Sequence, residues 1–318
     1  MCCYHIDGYI KETFFSSDRE TKVTTQRISA CHALILQLLL ALSTLAADAL
    51  AASLHCKCTP NDPCWPSASD WNSLNHTPAV SGRLISTVPV ASVCYPSQTD
   101  YDEEACNAVR GNWTSWPFHS SNSASTGNPA WDRACTPIYP NGTSLTGNPN
   151  AGEEGCSIGN YPPYVVNATE TAHVQAAVRF ARKWNLRLNV KNTGHSKGRS
   201  IASGNLSIWT HHMKDFQFHE KFQPASCHGE EAIMAATVGA GTHDGELYAA
   251  MAEHDALAVG GENTDVGVVG WATGGGHGLA TGEYGMGADN IIEVTVVTLD
   301  GNIVTANACQ NEDLFWAI

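Results

Sequence analysis

The sequence predicts an α+β fold preceded by a disulfide-rich, irregular segment. Three observations carry that expectation. Strand-like and helix-like stretches alternate from Tyr161 onward, a hairpin pattern lies near the C-terminus, and the stretch before Tyr161 mixes cysteines with Pro, Ser, Asn, Gly and Trp.

The alternating part begins with Tyr164-Val165-Val166, short and apolar as a buried strand should be. Thr169 can cap a helix, and Val174, Ala177, Val178 and Ala181 recur at the spacing that gathers side chains on one helical face. Leu186 to Val190 alternates apolar and polar, so a strand–helix–strand unit is expected. The order then repeats: a strand over Ile233 to Val238, a helix over Asp244 to Glu253 with Leu247, Tyr248 and Met251 inward, and a strand over Leu257 to Val259. Ile291 to Leu299 is β-branched and alternating, Asp300-Gly301 signals a two-residue hairpin turn, and Ile303-Val304-Thr305 is the return strand. Asn311 opens a helix with Leu314, Phe315 and Trp316. Little more than one turn precedes Ile318, so the apolar face of that helix is expected to be completed by further sequence.

From about Ser53 to Asn160 periodicity is nearly absent, which predicts loops held by disulfides. The expected organisation is a targeting segment over 1–51, a Cys-rich segment over 52–160 and an α/β domain over 161–318.

An apolar share of 43% in 318 residues is enough for a proper core. The net charge is −14, from 31 acidic against 17 basic residues, and no basic run exceeds a pair. Nucleic acid and anionic membranes are therefore not expected partners.

ALILQLLLALSTLAADALAA, from Ala33 to Ala52, reads as a secretory signal with Ala49-Leu50-Ala51 as the peptidase site. Asp48 and the short apolar core argue against a membrane anchor, which needs about 20 apolar residues. Residues 1–30 are longer and more polar than an ordinary leader and are expected to carry little structural meaning. Cleavage near Ala51 removes Cys2, Cys3 and Cys31 from the twelve cysteines and leaves Cys56, Cys58, Cys64, Cys94, Cys106, Cys135, Cys156, Cys227 and Cys309. Seven of these precede Tyr161, a density that fits disulfides formed outside the cytosol. A zinc site on Cys56, Cys58 and Cys64 is the rival reading, and it lacks the spacing of paired ligands, so no metal is expected. Acceptor triplets at Asn75, Asn112, Asn141, Asn167 and Asn205 agree with export to the extracellular space.

Two loops concentrate glycine, and each directly succeeds a predicted strand: Asn192 to Ser200, NTGHSKGRS, and Gly260 to Gly278, GGENTDVGVVGWATGGGHG. Glycines let consecutive backbone N–H groups turn toward one anion, hydroxyls add donors and Arg199 adds charge, as a diphosphate requires. A single such loop is as often a plain tight turn; two in one βαβ context are harder to read that way. Gly239-Ala240-Gly241 also comes directly after a strand. It lacks the third glycine and the ribose-binding acid of a nicotinamide site.

KNTGHSKGRS followed by GNLSIWTHHMKD resembles the phosphate-binding loop of the PCMH-type FAD-binding domain of vanillyl-alcohol oxidase and berberine-bridge-enzyme relatives. GGENTDVGVVGWATGGGHG, then YGMGADNIIEVTVVTLDGNIVTAN with NEDLFWAI, resembles the same family in the same order, so the likeness runs from about Tyr161 to the end. CTPNDPCWP and GCSIGNYPPYVVNAT resemble fungal members of the isoamyl-alcohol-oxidase-like kind.

The resemblance implies an FAD-binding fold of two α/β subdomains. It implies that His195 bonds the flavin 8α-methyl group, with Asn192, Thr193, Gly194, Ser196, Gly198, Arg199 and Ser200 around the phosphates. It also implies Gly261, Asn263, Thr264, Val266, Gly267, Gly270, Gly274, Gly275, Gly276, His277 and Gly278 around pyrophosphate and ring. Doubly linked relatives carry a cysteine where this chain has Asn263, so one covalent link is implied. The family continues into a glycine-rich segment and a substrate domain that hold most catalytic residues, and none is assigned in this chain. The expected function is that of a secreted oxidase passing a hydride from a small alcohol or sugar-type substrate to flavin N5 and electrons to dioxygen. The rivals are a dehydrogenase or ring-closing enzyme of secondary metabolism, a non-catalytic flavin-binding fragment, and a secreted sugar-binding module. The last leaves both glycine loops unexplained.

Overall fold

The computed structural model describes residues 3–7, 56–126, 133–229 and 231–318. Most of the targeting segment expected over 1–51 lies outside the described residues. In chain order the main elements are β1 (Cys3–Asp7), α1 (Ala68–His76), β2 (Leu84–Ser86), α2 (Glu103–Asn112), α3 (Trp116–Ser120), α4 (Ala151–Glu154), β3 (Tyr164–Asn167), α5 (Thr171–Lys183) and β4 (Leu188–Lys191). Next come α6 (Lys197–Ser200), β5 (Leu206–Trp209), β6 (Phe216–Phe222), β7 (Ile233–Gly239), α7 (Asp244–Ala252), α8 (Val268–Ala272), α9 (Thr281–Tyr284), β8 (Ile291–Val297), β9 (Ile303–Asn307) and α10 (Glu312–Trp316).

The strands form two sheets. The first runs β2-β3-β5-β4, with β3, β5 and β4 mutually parallel and β2 antiparallel at the edge. The second runs β6-β7-β1-β8-β9, parallel at its centre and closed on each side by an antiparallel hairpin partner. Both are α/β layers, as alternation predicts. The short strand β1 sits between β7 and β8, a place that the polar character of residues 1–30 did not announce.

Helix α5 buries His173, Val174, Ala177, Val178 and Ala181, the expected face. Its N-cap is Glu170, one residue later than Thr169, whose backbone N–H instead donates to His173 Nδ1. The strand expected over Leu186 to Val190 begins at Leu188, because Leu186 makes a lone bridge to Cys58. Leu257 to Val259 forms no strand: Leu257 is exposed and only Ala258 bridges. The β8–β9 hairpin is present with a longer turn than two residues. Thr298 N–H donates to the Asn302 carbonyl and Gly301 N–H to that of Thr298, and Gly301 takes a φ of +81° while its carbonyl accepts from Gln175 and Arg179 of α5.

The stretch before Tyr161 holds more regular structure than its composition suggests. Ser67 and Asp70 close a capping box on α1, and Asp102 caps α2. Trp71 of α1 stacks on Tyr164 of β3 at 4.1 Å and leans on Phe180 of α5, so α1 and β2 belong to the principal core. A separate small core of Tyr95, Val109, Trp113, Ile138 and neighbours sits inside residues 90–156. Disulfides join Cys94 to Cys106 and Cys135 to Cys156 there, Cys58 to Cys64 near the start, and Cys227 to Cys309 across the second sheet. The Cys58–Cys64 bond uses two of the three ligands a zinc site would have needed.

Candidate functional site

Parallel strands deliver their succeeding loops to one edge of a sheet, and this chain uses that geometry twice. β4 ends at Lys191 and feeds the loop 192–200; β5 ends at Trp209 and feeds 210–213. From the other sheet β7 ends at Gly239 and feeds 240–243 ahead of α7. The three meet: Asn192 Nδ2 donates to the carbonyls of Ala240 (3.2 Å) and Thr242 (3.4 Å), and Thr210 Oγ1 donates to Ala240 (3.3 Å). Gly239 and Gly241 pack against the backbone of Thr210 to Asp215, which is why they lack side chains. They serve close packing rather than a nucleotide.

The two glycine-rich loops touch. A Cβ on Gly267 would lie 2.5 Å from Asn192 Nδ2, so glycine is what lets the second loop close on the first. Gly194 has a φ of +95°, and a Cβ there would meet Lys191 Cε at 3.1 Å and Thr126 Cα at 3.3 Å. Within the first loop Arg199 Nε donates to Ser196 Oγ, Ser200 Oγ to the Ser196 carbonyl, Thr193 is buried and Gly198 is open. In the second, Gly261 N–H donates to Asp244 Oδ2 at 3.1 Å, the Thr264 and Val266 carbonyls accept from Gly245 and Asp244, and Asn263 Oδ1 holds the Asp265 N–H. Gly270 and Gly274 are exposed and Gly275 is half-buried, whereas Gly276 and Gly278 pack on Trp271 and Gly260. The His277 side chain is exposed; its carbonyl accepts from Trp271.

His195 is the centre of the arrangement. Trp116 of α3 lies flat on its ring, with centroids 4.1 Å apart. Its Nε2 lies 3.6 Å from Asp265 Oδ2. The other oxygen of Asp265 accepts from Ser120 Oγ at 3.0 Å and lies 3.6 Å from His243 Nδ1. His243 Nε2 in turn meets His211 Nδ1 at 3.2 Å. Burial acts to raise the Asp265 carboxyl, but contacts with His195 and Ser120 and the charges of His243 and His195 outweigh it and hold the carboxyl low. Burial drives His243 down, and His211 down to about 3, so both rings are neutral near pH 7.

Two further ionisable groups complete the site. Lys191 is fully buried, and its Nζ donates to the carbonyls of Asn122 (2.6 Å), His119 (3.3 Å) and Ser120 (3.4 Å). Burial pulls it down to about 7, against the attraction of Asp265. Asp244 is pushed up to about 6 by burial, opposed by the Gly261 N–H and the charge of His195. Asp265 had a local signal, an acid inside a phosphate-type loop. Trp116, Ser120, Lys191, His211, His243 and Asp244 had none, since each reaches the site through long-range packing.

The arrangement fits a large polar cofactor. Buried polar atoms without a hydrogen-bond partner gather here: Asn192 Oδ1, His195 Nε2, Thr242 Oγ1, Asp244 Oδ1 and Asp265 Oδ2. Such atoms are costly to bury alone and mark where a ligand supplies the missing partner. An FAD-binding domain is the class of protein that this fold and these loops define, and residues 162–307 match the family described as FAD binding domain. FAD is accordingly its cofactor.

The chain is 39% identical over 271 residues to a bifunctional decalin synthase of Penicillium decumbens and 38% identical to the VAO-type flavoprotein oxidase VAO615 of Thermothelomyces thermophilus. Each match takes in 84% of this chain and 44% of the relative. The crystal structure of a VAO-type flavoprotein from Myceliophthora thermophila superposes with a TM-score of 0.73 at 37% identity, over 83% of this chain and 46% of that one. The chain belongs to the vanillyl-alcohol-oxidase and berberine-bridge-enzyme-like flavoprotein family, and spans less than half the length of these relatives.

Proposed function

We propose that this chain is the flavin-binding part of a secreted FAD-dependent oxidoreductase that oxidises a small alcohol or sugar-type substrate, with FAD tethered through His195. The observation that carries this reading is the closure of Gly267 on Asn192 beside His195, amid the unpartnered buried polar atoms. When bound, FAD supplies a hydride acceptor at N5 and returns electrons to dioxygen as hydrogen peroxide. The chain's own residues hold it. Asn192, Thr193, Gly194, Ser196, Gly198, Arg199 and Ser200 take the diphosphate side, and Gly261 to Gly278 line the remainder. With Asn263 in place of a second linking residue, one covalent bond suffices. The experiment is to express the whole chain with FAD, run it under denaturing conditions and map the flavin-bearing peptide to His195. Hydrogen peroxide release across a panel of alcohols and sugars then tests the oxidase half.

A second reading, a dehydrogenase or ring-closing enzyme of secondary metabolism, draws support from the name of the decalin synthase relative. Substrate turnover with an artificial acceptor but without peroxide favours it.

Export requires cleavage near Ala51, which would take β1 out from between β7 and β8. Intact mass of the secreted protein decides between the two. Glycans are expected at Asn112 and Asn141, which are exposed, and not at Asn205, which is fully buried.

A further inference from the structure

Residues 113–126 leave the small core after α2 and cross the place where the two glycine-rich loops meet. They touch both loops. On the first, a Cβ at Gly194 would lie 3.3 Å from Thr126 Cα and 3.4 Å from the Ser125 carbonyl oxygen, and Gly194 has a φ of +95°, so glycine is what permits this approach. Trp116 lies flat on His195 of the same loop. On the second, Asp265 Oδ1 accepts from Ser120 Oγ at 3.0 Å. Between the loops, Lys191 Nζ at the end of β4 gathers the carbonyls of His119, Ser120 and Asn122. The segment is also knit within itself. His119 Nε2 lies 2.7 Å from the Trp113 carbonyl, which can only accept, so the proton is on Nε2 and Nδ1 accepts from Ser125 Oγ at 2.6 Å. Burial lowers the affinity of His119 for a second proton. Asn122 Oδ1 takes the N–H groups of Ala124 and Ser125. One neutral histidine thus joins the two ends of the segment. Its apolar anchors are Trp113 and Phe118 in the small core and Ala124 against Tyr161 and Ile201. Apart from the Trp116 ring, its hold on the loops is polar, and regions held with little buried apolar area open before the rest of a protein.

We propose that residues 113–126 are a strap that shuts FAD into the two glycine-rich loops, and that Lys191 is the positioning residue that buckles it. Loss of the hold at Ser120 or Lys191 frees the middle of the strap while the anchors in the small core and at Ala124 remain. Cofactor release then quickens without unfolding of the sheets. The strap lies outside residues 162–307, so this role belongs to the cysteine-rich region and not to the FAD-binding domain it closes. The proposal rests on FAD as the cofactor and holds with or without a covalent bond.

Hydrogen exchange on the whole wild-type chain is the first test. Amides of 113–126 are expected to open more readily than those of the sheets, and added FAD to slow them about 10-fold. Strap amides that exchange only with global unfolding, or that FAD leaves unaltered while it protects 192–200, overturn the proposal whether or not any variant folds. Release is then timed in a His195→Gln background, where FAD stays dissociable whatever the wild type links, by the rise of flavin fluorescence on dilution. Ser120→Ala is expected to release FAD about 10-fold faster, and Ser120→Thr, which keeps the hydroxyl, to recover most of the difference. Lys191→Met should release it faster still, since three carbonyls lose their donor. Unchanged release from a Ser120→Ala protein whose strap exchanges faster overturns the proposal. So does faster release with strap exchange unaltered, which would make Ser120 act through Asp265 alone.

Discussion

Residues 90–156 and the paired sheets are held together by different means. The first buries a small core around Tyr95, Trp113 and Ile138 and closes it with disulfides separated by 12 and 21 residues. The sheets bury a much larger apolar cluster, including Val166, Leu206, Ile208, Val238 and Leu247, and carry one disulfide that spans 82 residues. A small core stabilises little by itself, so local cross-links carry the first region, whereas burial carries the second. Yet the small region is not an appendage. Its helix α3 supplies Trp116 and Ser120, and the carbonyls of His119, Ser120 and Asn122 hold Lys191, so the site exists only where the two regions meet.

The sharpest break of this comparison comes from cysteine pairs. By loop closure, Cys227→Ser with Cys309→Ser should cost about 4.5 kcal/mol and Cys94→Ser with Cys106→Ser about 3 kcal/mol, read by calorimetry. If burial carries the sheets, the first double variant still folds with a lowered Tm, while the second loses amide-exchange protection over 90–156 first. Equal protection loss in both regions would dissolve the distinction.

Lys191→Met strands the carbonyls of His119, Ser120 and Asn122 and should cost about 2 kcal/mol. The cost depends on pH. Lys191 releases its proton more readily folded, at about 7, than unfolded, at 10.5. Wild type therefore gains stability as pH rises from about 7 toward 10.5, and the penalty of the buried ammonium is full below about 7. Chemical denaturation should find Lys191→Met most damaging near the top of that window, at about pH 9, and least damaging on its acid side, at about pH 6.

Trp116→Ala removes the ring stacked on His195, a contact worth about 1 kcal/mol. Its expected mark is on the site: slower covalent incorporation of FAD with the disulfide core of 90–156 intact by exchange. Unaltered incorporation would make the contact between regions structural only.

In Asp244→Asn the expected effect is one of pH dependence. Because Asp244 is raised from 3.8 to about 6 when folded, the wild type loses stability as pH rises through that window, by no more than about 1.4 kcal/mol per pH unit. The variant, whose amide oxygen still accepts from Gly261, should be flat there in urea titrations at about pH 4 and about pH 6.

Local pattern alone made much of the molecule readable. The α5 face, the β8–β9 hairpin, both glycine loops, and the disulfide-bonded character of the segment before Tyr161 all come from spacing and composition, because helical periodicity, β-branching and glycine act over a few residues, whereas His195 was singled out by the family resemblance. The caps of α1 and α2 were also local, and were hidden by a polar, tryptophan-rich composition that masks short helices. The tertiary structure alone decided which groups surround His195. Asp265 lies 70 residues beyond it, counting from 195 to 265, and Ser120 lies 145 residues before Asp265. His211 and His243 come from different sheets. No local rule pairs such residues. They converge because parallel strands end at a common edge and because glycine at 267 lets the second loop close on Asn192, so that buried polar atoms with no other partner must find one another or a cofactor.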